Sequence, residues 1–175
     1  DTGATWAADM PTLTASYAKL ASAPEFAAFR AAIPMMTTWD DHDYGANDAG
    51  GSFAFKGWAE TVYETFWQSP ADVTGRPGVY SSRTFGAEGK RVQVIALDTR
   101  YFRSDLARFP FSEERRPKGN YGQNTDAGAT MLGNAQWAWL TAELAKPADV
   151  RIVVSSVQVL TEAHDFESWE NFPNE

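Results

Sequence analysis

The run Val92-Gln93-Val94-Ile95-Ala96-Leu97 limits what this chain can fold into more than any other stretch. A strand with one wet face alternates apolar and polar side chains, whereas this run is almost continuously apolar. It therefore predicts a central strand over 91–97, covered on both faces. A second β-rich run at 79–85 precedes it across Gly86-Ala87-Glu88-Gly89, a short glycine-flanked connection that predicts a hairpin. Further on, Asn134 is placed to cap a helix with Trp137, Leu140 and Leu144 on one face. Pro147 breaks that helix, and 150–160 reads as another buried strand. Strand, crossover helix and strand imply an α/β layered domain.

The first third of the chain reads as helical. Asp9 is placed to cap a helix with Pro11 in its first turn, and Leu13, Tyr17 and Leu20 share a face. Ser22 and Glu25 have capping-box spacing ahead of the stripe Phe26, Phe29 and Ile33, which Pro34 ends. Residues 35–39 form a short apolar run that suits a buried strand. Phe55, Ala59, Val62 and Phe66 recur at helical spacing and predict core packing. Residues 70–78 read as loop. From about 103 to 130 the chain is polar and holds Pro110 and Pro117; irregular chain of that length inside a domain points to a lid, a binding loop or a disordered segment. With 175 residues, 1–175 is expected to form a single domain.

Composition removes several function classes. The formal net charge of −8 disfavours non-specific nucleic-acid binding, which depends on Lys and Arg displacing counterions. No stretch approaches the roughly 20 apolar residues of a membrane span. The absence of cysteine removes disulfides, thiolate catalysis and thiolate metal sites together.

The segment Thr38-Trp39-Asp40-Asp41-His42-Asp43-Tyr44-Gly45-Ala46-Asn47-Asp48 is the one with chemical character. It places four carboxylates and one of the two histidines within the nine residues from Asp40, directly after an apolar run. Carboxylates this close raise one another's cost of ionisation and call for water or cations. Oxygen donors with an imidazole suit divalent or trivalent metals, while a solvated acidic turn is the plainer reading. Counting excludes a helix-loop-helix calcium loop. Starting at Asp40 puts His42 and Tyr44 at positions three and five, and starting at Asp41 puts Ala46 at six. Ligands in open α/β sheets gather beyond strand carboxyl ends. Asp98 and Arg100 follow one strand there, and Ser155, Ser156 and Gln158 follow another. Asp98 reads equally as a cap of the following turn, and Gln158 as a buried amide satisfied by backbone.

The stretch from Trp39 to Asp48 closely resembles the signature of the alkaline phosphatase D (PhoD-like) family of calcineurin-like metallophosphoesterases. The resemblance continues through Tyr80-Ser81-Ser82-Arg83-Thr84-Phe85-Gly86 and Leu97-Asp98-Thr99-Arg100-Tyr101-Phe102-Arg103. It returns at Met131-Leu132-Gly133, Gln136-Trp137, Ser155-Ser156-Val157-Gln158 and Glu167-Ser168-Trp169 with Phe172-Pro173. It implies a partial calcineurin-like metallophosphatase fold of layered β-sheets flanked by helices, truncated at both ends. It also implies a binuclear centre of calcium, iron, manganese or zinc in the full-length parent. By that resemblance Asp41 is a metal ligand and His42 a general acid or phosphate-oxygen donor. Asp43 orients His42, and Arg100, Asn47 and Gln158 contact substrate. His164, the other histidine, reads as a surface-loop residue.

The implied activity is hydrolysis of phosphate mono- or diesters by a periplasmic or extracellular parent, with the fragment itself inactive. The family's remaining metal motifs are expected before Asp1 and after Glu175. A metal- or phosphate-binding module without turnover is the alternative, and a carbohydrate-binding domain, drawn only from the many Trp and Tyr residues, is a third. Exposed strand edges in a truncated sheet invite self-association.

Overall fold

A computed structural model describes residues 10–110, 112–114, 118–161 and 164–175. The helices are α1 (Met10–Ala21), α2 (Pro24–Ala32), the single turn α3 (Asp41–Tyr44), α4 (Lys56–Trp67), the single turn α5 (Ala71–Thr74) and α6 (Gly133–Leu144). The strands are β1 (Ser81–Phe85), β2 (Val92–Ala96), β3 (Ala107–Arg108), β4 (Tyr121–Gly122) and β5 (Val150–Val154), and a 3-10 turn covers Trp169–Asn171. The expected cap at Asp9 falls outside the described residues.

The central position of β2 follows from its pairing. β1 lies antiparallel on one side through the predicted hairpin, and β5 lies parallel on the other, reached by the crossover through α6. Gln93 and Ile95 face α6 and are fully buried. The Gln93 amide donates to Glu143 O at 3.1 Å and so ties the strand to the helix. Coverage of the opposite face is less than predicted: Val92 and Val94 are only half-buried. The second apolar cluster gathers around Trp39 and Val79 rather than on Val92 and Val94.

Two apolar clusters hold the chain. Ile95, Leu97, Met131, Leu132, Leu140, Val157 and Phe172 pack between the sheet, α6 and the 3-10 turn. Leu13, Tyr17, Trp39, Tyr44, Ala59, Tyr63 and Val79 form the second, built by α1, α3 and α4. Burying each such side chain contributes on the order of 1.5–3 kcal/mol.

Several expectations are corrected. Residues 35–39 form no strand; Thr38 Oγ1 donates to Leu97 O at 2.6 Å, so this segment runs beside the exit of β2 with a side-chain contact in place of a ladder. The capping box at α2 does not form: Ala23 is the N-cap, and Ser22 Oγ donates back to Lys19 O. Phe29 and Ile33 stay exposed because only Phe26 reaches the rings of Phe66 and Trp67. Leu132, not Asn134, is the N-cap of α6, and Leu144 is exposed while Gln136 and Glu143 are buried. The 70–78 loop contains α5.

The largest correction concerns 150–160. The strand ends at Val154, pairs on one side only, and is exposed along its length, with Val150 53% and Val153 51% accessible. β5 thus leaves an apolar edge open. The 103–130 stretch is not wholly irregular either, since β3 and β4 pair within it as a short antiparallel ribbon. No helix among the described residues is long and apolar enough to cross a membrane.

Candidate active site at the acidic turn

Trp39 sets the position of the acidic turn. Its ring is fully buried, with the Tyr44 and Tyr63 ring centroids at 4.9 and 5.2 Å, and its indole Nε1 donates to Asp98 Oδ1 at 2.8 Å. The chain leaving this anchor enters α3 at Asp40, whose carbonyl accepts Tyr44 N. The exit is tight. Tyr44 Oη donates to Gly50 O, and a Cβ at Gly50 would lie 2.8 Å from Arg103 O, closer than real contacts allow.

Within the turn the carboxylate of Asp41 acts as a staple. Oδ1 accepts His42 N and Oδ2 accepts Asp48 N, each at 2.9 Å. This closes the loop so that His42 Nε2 lies 3.2 Å from Asn47 Oδ1 and 3.8 Å from Asp41 Oδ2. The Asn47 amide nitrogen donates to Asp48 Oδ2 at 2.6 Å, and the same oxygen accepts the Tyr121 hydroxyl. Asp48 takes a left-handed backbone at φ 53°, which Asp tolerates better than most residues.

The exit of β2 supports the turn from below. Asp98 is fully buried and accepts four N–H groups: Trp39 Nε1, Arg100 N and Tyr101 N on Oδ1, and Val79 N on Oδ2. Gln136 pairs with the Asp98 peptide, accepting its N–H at 2.9 Å and donating to its carbonyl at 2.7 Å. The following residue, Thr99, shares a 2.7 Å hydroxyl hydrogen bond with Ser156 at the end of β5.

Arg100 is 1% exposed, and its fork is filled by two carboxylates. Nε and Nη2 donate to Asp40 Oδ1, while Nη1 and Nη2 donate to Glu167 Oε1 and Oε2. Burial works against the cation, but the charges of Glu167 and Asp40 outweigh it and raise the pKa above the ordinary guanidinium value. Arg103 lies alongside, with Nη2 3.0 Å from Glu167 Oε1 and donating to Asp48 O. A buried Arg-Glu-Arg cluster thus holds both ends of the acidic segment, Asp40 through Arg100 and Asp48 through Arg103.

Of the residues singled out in the sequence, the structure gathers Asp41, His42 and Asn47 into one group at the partly exposed surface of the turn. Asp43 lies on the aromatic side of the turn; burial first, then the Asp40 and Asp41 charges, raise its carboxyl above the usual range. Gln158 is exposed rather than a buried amide, and its side-chain oxygen is 2.6 Å from His164 Nε2. The capping reading of Asp98 is met by its bonds to Arg100 N and Tyr101 N. Glu167 and Tyr121 are structural participants whose importance the sequence did not reveal, while Asp48 belongs to the acidic segment singled out there. The signal for Glu167 was its place in a family motif; Tyr121, in a polar stretch, gave none.

Among the described residues no three His, Cys, Asp or Glu side chains converge on one point. The donor set therefore does not by itself enclose a metal ion. Asp41 offers one carboxylate at that surface, which is less than a complete centre requires.

Comparisons with known proteins bear on the family and the fold. The family model described as PhoD-like phosphatase matches residues 12–171. A solved structure of PhoD is similar with a TM-score of 0.57 at 23% identity, over 92% of this chain and 34% of the other. The chain thus spans about a third of the length of that protein, and the likeness at this identity is one of fold. No curated protein matches the chain.

Proposed function

Because this chain belongs to the PhoD-like phosphatase family, we propose that it forms part of a metal-dependent enzyme hydrolysing phosphate mono- or diesters, with the acidic turn as its share of the active site. The observation that supports this reading is the convergence of His42 Nε2 with Asp41 Oδ2 and Asn47 Oδ1 at the partly exposed surface of the turn. An imidazole N–H at such a place can donate to a phosphoryl oxygen or to the leaving alkoxide, and acid catalysis of this kind contributes on the order of 10²–10⁴-fold. Asp41 contributes a carboxylate to a centre that groups beyond the described residues complete. The residues here account for orientation and proton delivery. No step is assigned to an ion they do not enclose.

Arg100, with two carboxylates on its fork, supports the turn that presents His42; a phosphate oxygen reaches it only by displacing Asp40. Asn47 lies at that surface and is placed to contact substrate. Asp43 stiffens the turn from its aromatic side, and Gln158, exposed and bonded to His164, is open to contact substrate. Periplasmic or extracellular phosphate scavenging fits this activity.

The test is turnover of an aryl phosphate monoester and a diester by the complete polypeptide, after chelation and after adding back calcium, iron, manganese or zinc. Loss on chelation and recovery with one or more metals is expected. The incomplete donor set favours one second reading, a phosphate- or metal-binding module. Binding without turnover under every metal would select it.

A further inference from the structure

Beyond β5 the second histidine belongs to a short series of hydrogen bonds whose direction is fixed from one end. The backbone N–H of Phe166 donates to His164 Nδ1 at 3.1 Å. A peptide N–H can only donate, so Nδ1 is the bare nitrogen and the ring proton sits on Nε2. That proton meets Gln158 Oε1, with the heavy atoms 2.6 Å apart. The Gln158 carboxamide is thereby oriented: its oxygen turns to His164 and its NH₂ turns away. Gln158 is exposed, and its NH₂ meets no acceptor among the described residues.

Both partners are held by their own backbones. Gln158 O accepts Trp169 N at 3.0 Å, and Trp169 Nε1 donates to Ser155 Oγ at 3.0 Å, which fixes the chain leaving β5. Asp165 N donates to Lys118 O and Asp165 O accepts Tyr121 N, so the residue after His164 is bracketed from the ribbon side. The Phe166 ring stands edge-on to the imidazole with centroids 5.4 Å apart. The same segment carries Glu167, which grips Arg100 and Arg103 and, through Arg100, meets Asp40. The chain from His164 to Glu167 spans at most about 10 Å. At the strand exits, Thr99 after β2 bonds Ser156 after β5. The outward NH₂ of Gln158 and the acidic turn therefore stand on one edge of the sheet, at the carboxyl ends of β2 and β5.

We infer that His164 is a positioning residue: by holding Gln158 Oε1 it presents the Gln158 NH₂ as a fixed donor to a non-bridging oxygen of the phosphate ester. This rests on the phosphoester reading above, and it supplies a donor that Arg100 does not, since the Arg100 fork is filled by Asp40 and Glu167. His164 touches no substrate and acts only through Gln158. A phosphate oxygen is charged before reaction as well as during it, so this bond holds both states alike and belongs to KM rather than kcat.

The test has a spectroscopic and a kinetic arm, both on the complete polypeptide. Imidazole ¹⁵N shifts of histidine-labelled protein are read at about pH 9, where an ordinary imidazole is neutral; the signals lost in His164→Ala are those of His164. The Nε2–H form is expected. In turnover of an aryl phosphate monoester, Gln158→Ala should raise KM about tenfold or more, as loss of a hydrogen bond to a charged group does, with kcat little changed. His164→Ala should raise KM in the same direction by less. The double variant should be no worse than Gln158→Ala, because His164 has no other route to substrate. An Nδ1–H form in the unsubstituted protein, an unchanged KM in either single variant, or additive effects in the double variant would overturn the inference and leave the proposed function standing. If no ester is turned over, the proposed function fails, and the Kd for inorganic phosphate in the same variants takes the place of KM. The same pattern in Kd supports the inference, and absent or unchanged phosphate binding overturns it.

Discussion

With four N–H groups on its two oxygens, Asp98 ties Trp39, Val79 and the turn after β2 into one unit. Asp98→Ala would strand those donors without water, and urea denaturation should show a loss of about 3–5 kcal/mol. Glu60 makes a different prediction. Its carboxyl is pushed up to about 7, chiefly by burial, with Glu64 and Asp98 adding to the push against the N–H of Gly78 and the Arg76 charge. Between the unfolded value of 4.5 and about 7 the folded state holds more protons than the unfolded one. Stability due to Glu60 therefore falls as pH rises through that window and is flat above it. Glu60→Gln keeps an acceptor for Gly78 and removes the charge. Its melting temperature should match the parent at pH 4 and exceed it at pH 8; equal melting temperatures at both would refute the shift. The acidic turn stood out in the sequence by the density of its carboxylates, although a solvated turn was the plainer reading of that density alone. Glu167 was legible only as part of a family motif, because a single carboxylate reveals its partners only when the chain is folded, whereas Asp98 was read as a cap of the following turn, as its bonds to Arg100 N and Tyr101 N bear out.

At the scale of elements, periodicity located the helices and the hairpin but misjudged what covered them. α1 presents Leu13 and Tyr17 to the aromatic cluster, as their spacing required. The stripe of α2 looks as strong in sequence, yet that helix buries no residue. Apolar spacing states which face a helix offers and not whether a partner arrives. Leu13→Ala should accordingly cost about 2–5 kcal/mol, while Phe29→Ser should stay within about 0.5 kcal/mol in the same denaturation series. The same limit explains β5. Val150, Ile152, Val153 and Val154 carry the composition of a covered strand, and the structure places them on an open edge. The run at 35–39 was apolar because Trp39 had to be buried, not because its backbone enters a ladder.

Across the whole molecule, the Arg100-Glu167-Arg103 cluster joins the acidic turn to the segment before the 3-10 turn, 67 residues from Arg100. Removing one member of a buried ion cluster leaves its partners uncompensated. Glu167→Ala should thus destabilise by about 3–5 kcal/mol and loosen both Asp40 and Asp48. Hydrogen exchange at the amides of 40–48 should rise well beyond that of α6. The layered architecture was legible from the β2 run and the crossover helix, and the family model over 12–171 agrees with the motifs quoted for it. The placement of the acidic turn beside the exit of β2 required the folded chain, because Trp39, Asp98 and Arg100 build it across about 60 residues of sequence.

The most direct test of the role given to the acidic turn is phosphoester turnover by the complete polypeptide, compared for the parent, His42→Ala and Phe29→Ser. Metal-dependent turnover that His42→Ala lowers by at least about a hundredfold, and Phe29→Ser leaves within about twofold, is the predicted result. Full activity in His42→Ala would contradict it and move the chemistry away from this turn.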